Sequence, residues 1–287
     1  MSEDTGIWTY AITEDGHLSG PDGEVDLTWL TGVGETKVRI ITCSGLTALV
    51  SDVSLAEFGE AALRENLENL DWLDEVAQEH HYVIDAAARL FPLLPVRLAT
   101  VYSGDAAVCA ALAEHNGQLL DVLRRVGGRI EWGVKAYAAQ EPEAAPESGT
   151  AESDKEGPAP AGNLAGEGAG EDAGPGSGAG LAYLKRRRTQ LTAAREAKAT
   201  AVNAAQAVHA DLTAKATDTR LHPPQSAQLS GVRQPMLLNA AYLLDPNDAA
   251  TFTAAVAGHA TAHHELRIEL TGPWPPYSFA GYDDDGR

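Results

Sequence analysis

His259 and His263 stand four residues apart with His264 and Glu265 beside them, and on a helix that spacing puts two imidazoles on one face, where a divalent ion could be chelated. No HExxH pattern accompanies them and the sequence places no third ligand. Polar side chains near a helix C-terminus, where positive charge suits the dipole, are the simpler reading. His80 and His81 divide in the same way: His80 falls in an apolar stripe and is expected as a hydrogen-bonded core histidine, whereas His81 should face water or a neighbouring domain. Gly176, Gly178 and Gly180 lead into Leu181 rather than a third glycine at dinucleotide spacing, and GxxxxGK[ST] is absent. There is no GxSxG, no Ser/His/Asp arrangement and no carboxylate pair at a recognisable spacing. The sequence therefore assigns no catalytic residue, no cofactor site and no metal site, and an enzyme is not expected.

Two features remain as candidates for partner binding. Lys185, Arg186, Arg187 and Arg188 form the main basic run, with Arg195 and Lys198 further along the same predicted helix. Such a run is either the solvated face of an acidic protein or a docking site for acidic groups on a partner. The second feature is the stretch LRIELTGPWPPYSF, residues 266–279. Leu266, Ile268 and Leu270 alternate with Arg267 and Glu269 as in a strand with one buried face. Pro273, Pro275 and Pro276 then stiffen the backbone around Trp274, Tyr277 and Phe279. These rings either cover the end of their own domain or form an aromatic partner surface led by Trp274 and Tyr277.

Composition bounds the partners. With 21 Lys and Arg against 41 Asp and Glu, the 287-residue chain carries a net charge of −20, which argues against generic binding to nucleic acid or an anionic membrane. No run of 18 apolar residues occurs, and the opening MSEDTGIW has neither a basic nor an apolar leader segment, so a cytoplasmic protein is expected. Cys43 and Cys109 form no disulfide framework and lack metal-ligand spacing; buried free thiols are expected.

The elements that must position these residues are legible from periodicity. Gly6–Ile12, Val38–Cys43 and Leu46–Val50 are strand-like, the last two joined by Ser44-Gly45. A helical stripe runs from Leu67 to Phe91 and stops at Pro92; 94–102 reads as a strand, and Val108 to Val126 as a helical face. Residues 129–137 form a strand. Leu181 to Leu212 trace a helix of roughly 35 residues, about 50 Å. A short strand at 219–222, a strand at 236–244, a helix opened by Asp245 and Pro246, and the closing strand complete the chain. Between 140 and 180 lie 10 Gly, 5 Pro and 9 acidic residues with Leu164 as the one large aliphatic, a composition that builds no core. The order from residue 129 onward is βαββαβ, so this segment is a disordered insertion in a β–α connection. The fold expected is α+β in two domains: residues 1–128, and a ferredoxin-like unit over 129–287 with a long first helix and the Gly/Pro/Glu-rich insertion at 140–180. A ferredoxin-like sheet can bind RNA, but here the basic run sits on a helix and no RNP-type aromatic motif occurs in the strands.

Several blocks together resemble the gas vesicle accessory proteins of the GvpF/GvpL family: LPVRLATVY at 94–102, EWGVKAY at 131–137, GLAYLKRRR at 180–188, LNAAYLLD at 238–245 and GPWPPYSF at 272–279. Ala99 stands where that family usually has glycine. The resemblance implies a cytoplasmic, gas-vesicle-associated assembly protein without enzymatic residues. It implies a minor vesicle component that binds the hydrophobic shell protein GvpA or other accessory proteins, assisting nucleation and preventing shell-protein aggregation. An acidic chaperone covering an apolar subunit would raise the barrier to premature association, and apolar surface between the two domains is the expected contact. On this reading the closing aromatic cluster fastens the chain end near the domain interface. The competing expectation is a small-molecule-sensing regulatory module, since ferredoxin-like domains also bind metabolites at strand–helix loops.

Overall fold

The computed structural model describes residues 5–20, 23–139, 176–225, 231–232 and 234–281. Its first strand, β1 (Thr5–Glu14), is buried along nearly its whole length, because apolar layers cover both faces of the sheet it centres. A two-residue ladder, β2 (Ser19–Gly20) with β3 (Gly23–Glu24), follows. Then β4 (Val38–Cys43) and β5 (Leu46–Ser54) pair antiparallel across Ser44 and Gly45. Both turn residues have positive φ, 56° and 79°, which matches the twist of a tight hairpin. β5 runs antiparallel to β1.

Three helices cover one face. The Ser54 side chain accepts from the Ala56 N–H to open α1 (Leu55–Phe58), and α2 (Glu60–Asn66) follows. Asn69 accepts from the N–H groups of Asp71 and Trp72 and so fixes the start of α3 (Leu70–Ala88). The stripe expected from Leu67 therefore enters the core late: Leu67 and Leu70 are 39% and 77% exposed, whereas Val76, His80, Val83, Ile84 and Ala87 are buried. They pack with Trp8, Tyr10 and Phe58.

Residues 94–102 do not form the single strand expected. They make two short ones, β6 (Leu94–Pro95) and β7 (Val101–Tyr102), each paired with β1. Between them Ala99 adopts φ 61°, a left-handed conformation that no continuous ladder accommodates. The helical face at 108–126 is likewise divided, into α4 (Asp105–Glu114) and α5 (Asn116–Val126), with His115 at the break. Its apolar residues still meet in one cluster with Ile7, Ile12 and Val50. α4 packs against β4, and this brings Cys109 to Cys43. The two cysteines, expected as free thiols, are joined as a disulfide with Cα atoms 5.4 Å apart.

The second sheet contains β8 (Ile130–Ala138), β9 (Asp218–Leu221), β10 (Met236–Leu244) and β11 (Leu266–Trp274) in the order β11-β8-β10-β9, every pairing antiparallel. The helix after β8, α6 (Gly176–Thr213), and the helix after β10, α7 (Ala249–Ala262), share one core on one face of this sheet. Ala201, Ala205, Val208, Leu212, Phe252 and Val256 meet Val134, Ala136 and Tyr242 there. As expected, Asp245 caps the turn at Pro246–Asp248 that leads into α7. On the opposite face Ala241 and Leu243 join the α4–α5 cluster, so the middle core is shared between the two sheets. Of the insertion expected at 140–180, residues 140–175 lie outside the described residues, and α6 already begins at Gly176.

β11 ends in a bulge opposite Glu131. Gly272 sits there at φ 125°, where an added β-carbon would lie 2.8 Å from the Glu131 carbonyl oxygen, so this position in GPWPPYSF requires glycine.

Candidate functional site

Where the two sheets meet, a cavity of about 730 Å³ opens between β1, the 94–102 segment, α4, β9 and the C-terminal turn. Its wall is apolar: Ile12, Leu94, Val108, Leu112 and Leu119 come from the first half of the chain. Its rim is cationic. Arg97 and Arg220 approach the same point, since a β-carbon built on Gly281 would stand 3.7 Å from Arg97 Nη2 and 3.8 Å from Arg220 Nη1. His222 adds a third basic side chain. The Thr9 hydroxyl, buried in the lining, has no hydrogen-bond partner among the described residues. An apolar wall beneath a cationic rim suits an apolar segment that carries a carboxylate at one end.

The C-terminal turn closes this region by contacts to three elements. The Tyr277 hydroxyl and Nδ1 of His81 on α3 are 3.0 Å apart. Glu131 on β8 accepts from the Ser278 N–H at 2.7 Å and from its hydroxyl at 2.6 Å. Arg125 on α5 donates to the Phe279 carbonyl and pairs with Asp218 on β9 at 3.1 Å. Burial pushes the Glu131 carboxyl above the ordinary carboxylate range; the Ser278 donations, and then His222 and Arg220, pull the other way. Burial also raises the Tyr277 phenol.

The candidates singled out from sequence are not gathered at one site. Phe279 is 1% exposed and Tyr277 half-buried, so the turn they occupy is fastened to the body. Trp274, by contrast, is 43% exposed, with its ring 5.3 Å from that of His81. Lys185, Arg186, Arg187 and Arg188 lie far along α6, in a stretch 183–200 that is exposed at every residue. None of the four is ion-paired among the described residues. His80 is enclosed in the core: Trp8 Nε1 donates to its Nδ1 at 2.9 Å and its Nε2 meets the Val96 carbonyl. His259 pairs with Asp211 at 2.8 Å and His263 with Glu265 at 3.1 Å. Arg97 and Arg220 drew no notice in the sequence, because single arginines carry no spacing signal and their convergence exists only once the tail has folded back.

Two sheets sharing a middle core, a C-terminal turn fastened across them and a cleft where they meet define a two-sheet α+β protein. Its sequence matches the family model for the gas vesicle synthesis protein GvpL/GvpF over residues 6–281. The chain belongs to the GvpF/GvpL family. It is 36% identical over 288 residues to gas vesicle protein L of Streptomyces sp. (strain CB03234), covering 99% of this chain and 96% of that one. Gas vesicle protein F of the same strain is 28% identical over 279 residues, covering 95% and 98%. The crystal structure of the gas vesicle protein GvpF from Anabaena sp. PCC7120 superposes with a TM-score of 0.61 at 19% identity, covering 96% of each chain, and so shares the fold. No helix among the described residues is long and apolar enough to cross a membrane.

Proposed function

We propose that this protein is a non-enzymatic gas vesicle assembly factor that holds an apolar segment of the shell protein GvpA in the cleft between its two sheets. The observation that carries this reading is the pairing of an apolar wall with the Arg97 and Arg220 rim. A shell subunit with an apolar gas-facing surface aggregates unless that surface is covered, and a strongly acidic carrier keeps the complex dispersed. Such a carrier would work in the cytoplasm and on the vesicle, as a minor component that assists nucleation. We take residues 1–128 and 129–287 as its two domains, the second ferredoxin-like; the strand order β11-β8-β10-β9 with both helices on one face supports this division. The higher identity to the L protein than to the F protein of one organism, 36% against 28%, supports an L-type role.

Co-purification with GvpA tests the reading. Arg97 is exposed, so Arg97→Glu leaves the core intact, and the expected result is loss of GvpA capture at an unchanged melting temperature. Failure of the wild-type protein to retain GvpA would overturn it. Around the cleft, exposed Trp274 and neighbouring Tyr277 extend the contact surface, and the run Lys185–Arg188 is a separate docking surface for an acidic partner. A second reading, a small-molecule sensor, rests on the cavity volume of about 730 Å³, which falls within the range of ligand pockets. A thermal-shift screen against metabolites, run beside the GvpA capture, separates the two.

A further inference from the structure

α6 is 38 residues long, about 57 Å, yet among its described side chains the buried positions begin only at Ala201. The preceding half stands away from the described body. Leu184, Arg188, Leu191, Arg195 and Lys198 recur at intervals of four and three, which aligns them in one stripe along the arm. Leu184 and Leu191 are 61% and 49% exposed. Between 181 and 200 there are six basic residues and one acidic, Glu196, on a chain whose net charge is −20.

The opposite pattern lies on α1 to α3, against the first sheet. Residues 55–85 contain nine acidic residues and one basic, Arg64. Along the outer side of α3 the sequence Asp71, Glu75, Gln78, Tyr82, Asp85 repeats the spacing of the arm. Asp71, Glu75, Gln78 and Tyr82 are exposed, and Leu70 beside them is 77% exposed. Asp71 and Glu75 have no ion pair among the described residues, while Asp85 is held by Arg89. Both stripes are straight helix surfaces about 21 Å long, opposite in charge and each with exposed leucine. Within one molecule the two stripes do not meet: α3 packs on the first sheet and the buried end of α6 on the second, in separate cores, and every residue of the arm from 183 to 200 is exposed.

We infer that the basic arm of α6 docks on the acidic face of α3 in a second copy of this chain. The inference rests on reading the arm as a docking surface and names its partner. The arm and the face are different surfaces, so the contact is heterologous: each copy offers one of each, and successive copies add head to tail into a ring or a short filament. The leucines supply apolar contact and the charges set direction and register, so association strengthens at low salt.

Sedimentation of the full chain over a concentration series, at about 50 mM and about 500 mM salt, tests this. The expected average mass rises above the 30.2 kDa monomer at low salt and returns to it at high salt. Arm variant Arg188→Glu/Arg195→Glu and face variant Asp71→Lys/Glu75→Lys should each associate at least about tenfold more weakly with unchanged melting temperatures. Mixing the two variants should restore association, because the reversed arm now fits the reversed face. A monomer at every concentration, association that survives both reversals, or association abolished by nuclease would overturn the inference. Fluorescence binding of polyglutamate separates the levels. A monomeric wild type that still binds polyglutamate through the arm overturns only the self-pairing; one that does not bind it overturns the docking surface as well.

Discussion

The Tyr277 hydroxyl lies 3.0 Å from Nδ1 of His81, joining the last turn of the chain to the middle of α3 across 196 positions. With the neighbouring Arg125–Phe279 contact, it makes the C-terminal segment a staple between two sheets that also meet through the Arg125–Asp218 ion pair and a shared apolar layer.

That staple ranks three ring substitutions. Phe279→Ala empties a fully buried site and should destabilise by about 3 to 5 kcal/mol. Tyr277→Phe removes one partly buried hydrogen bond, about 1 kcal/mol. Trp274→Ala should cost no more than about 1 kcal/mol, because the ring is 43% exposed. Urea unfolding of the three variants checks the order; a Trp274 loss as large as that of Phe279 would show the exposed ring to be structural.

The proline-locked cluster illustrates what sequence reveals and what it does not. Its role as a fastening was legible from three rings on a stiff backbone. Which ring does the fastening was not, since Trp274, Tyr277 and Phe279 are alike in type and differ only in which way the bulge at Gly272 turns them. The succession of strands and helices in the second half was legible from periodicity, because the strands alternate or are flanked by turn residues. The leading half of α6 was legible as helix but not as an unpacked arm: Leu181, Leu184 and Leu191 have the spacing of a core stripe and nothing local to mark them as exposed. The cleft was invisible for a different reason. Arg97 and Arg220 are brought together by long-range folding alone, which periodicity does not encode.

The Cys43–Cys109 bond closes a loop between residues 66 positions apart. Cross-linking so long a segment restricts the unfolded chain, and a stabilisation of about 2 to 4 kcal/mol is expected. Thermal melts with and without reductant should therefore differ in the wild type and coincide in Cys43→Ala/Cys109→Ala. Two reactive thiols in the native, unreduced protein would contradict the pairing.

Ala99 holds φ 61°, a conformation that costs an alanine roughly 1 to 2 kcal/mol and a glycine nothing comparable. Against this, glycine loses more conformational freedom on folding, and the Ala99 methyl group packs on the first core. Ala99→Gly should accordingly raise stability by up to about 1 kcal/mol. A clear loss in urea unfolding would mean that the methyl contact outweighs the strain.

His80 is buried with its Nδ1 accepting from Trp8, its Nε2 facing the Val96 carbonyl and its ring stacked on Tyr10. Burial is the main reason its pKa falls to about 4; the Val96 carbonyl opposes the shift and neighbouring His81 adds to it. In the unfolded chain the imidazole titrates near 6.5. Between these values the unfolded state binds the extra proton, so this contribution is complete above about pH 6.5 and is lost as pH falls toward 4. The full span is on the order of 3 kcal/mol. His80→Gln keeps an acceptor and a donor but does not titrate. Its deficit relative to the wild type should be largest at pH 7 and shrink on acidification, as read from urea midpoints at several pH values. A deficit that stays constant from pH 7 to pH 4 would show that His80 is not held neutral by the core.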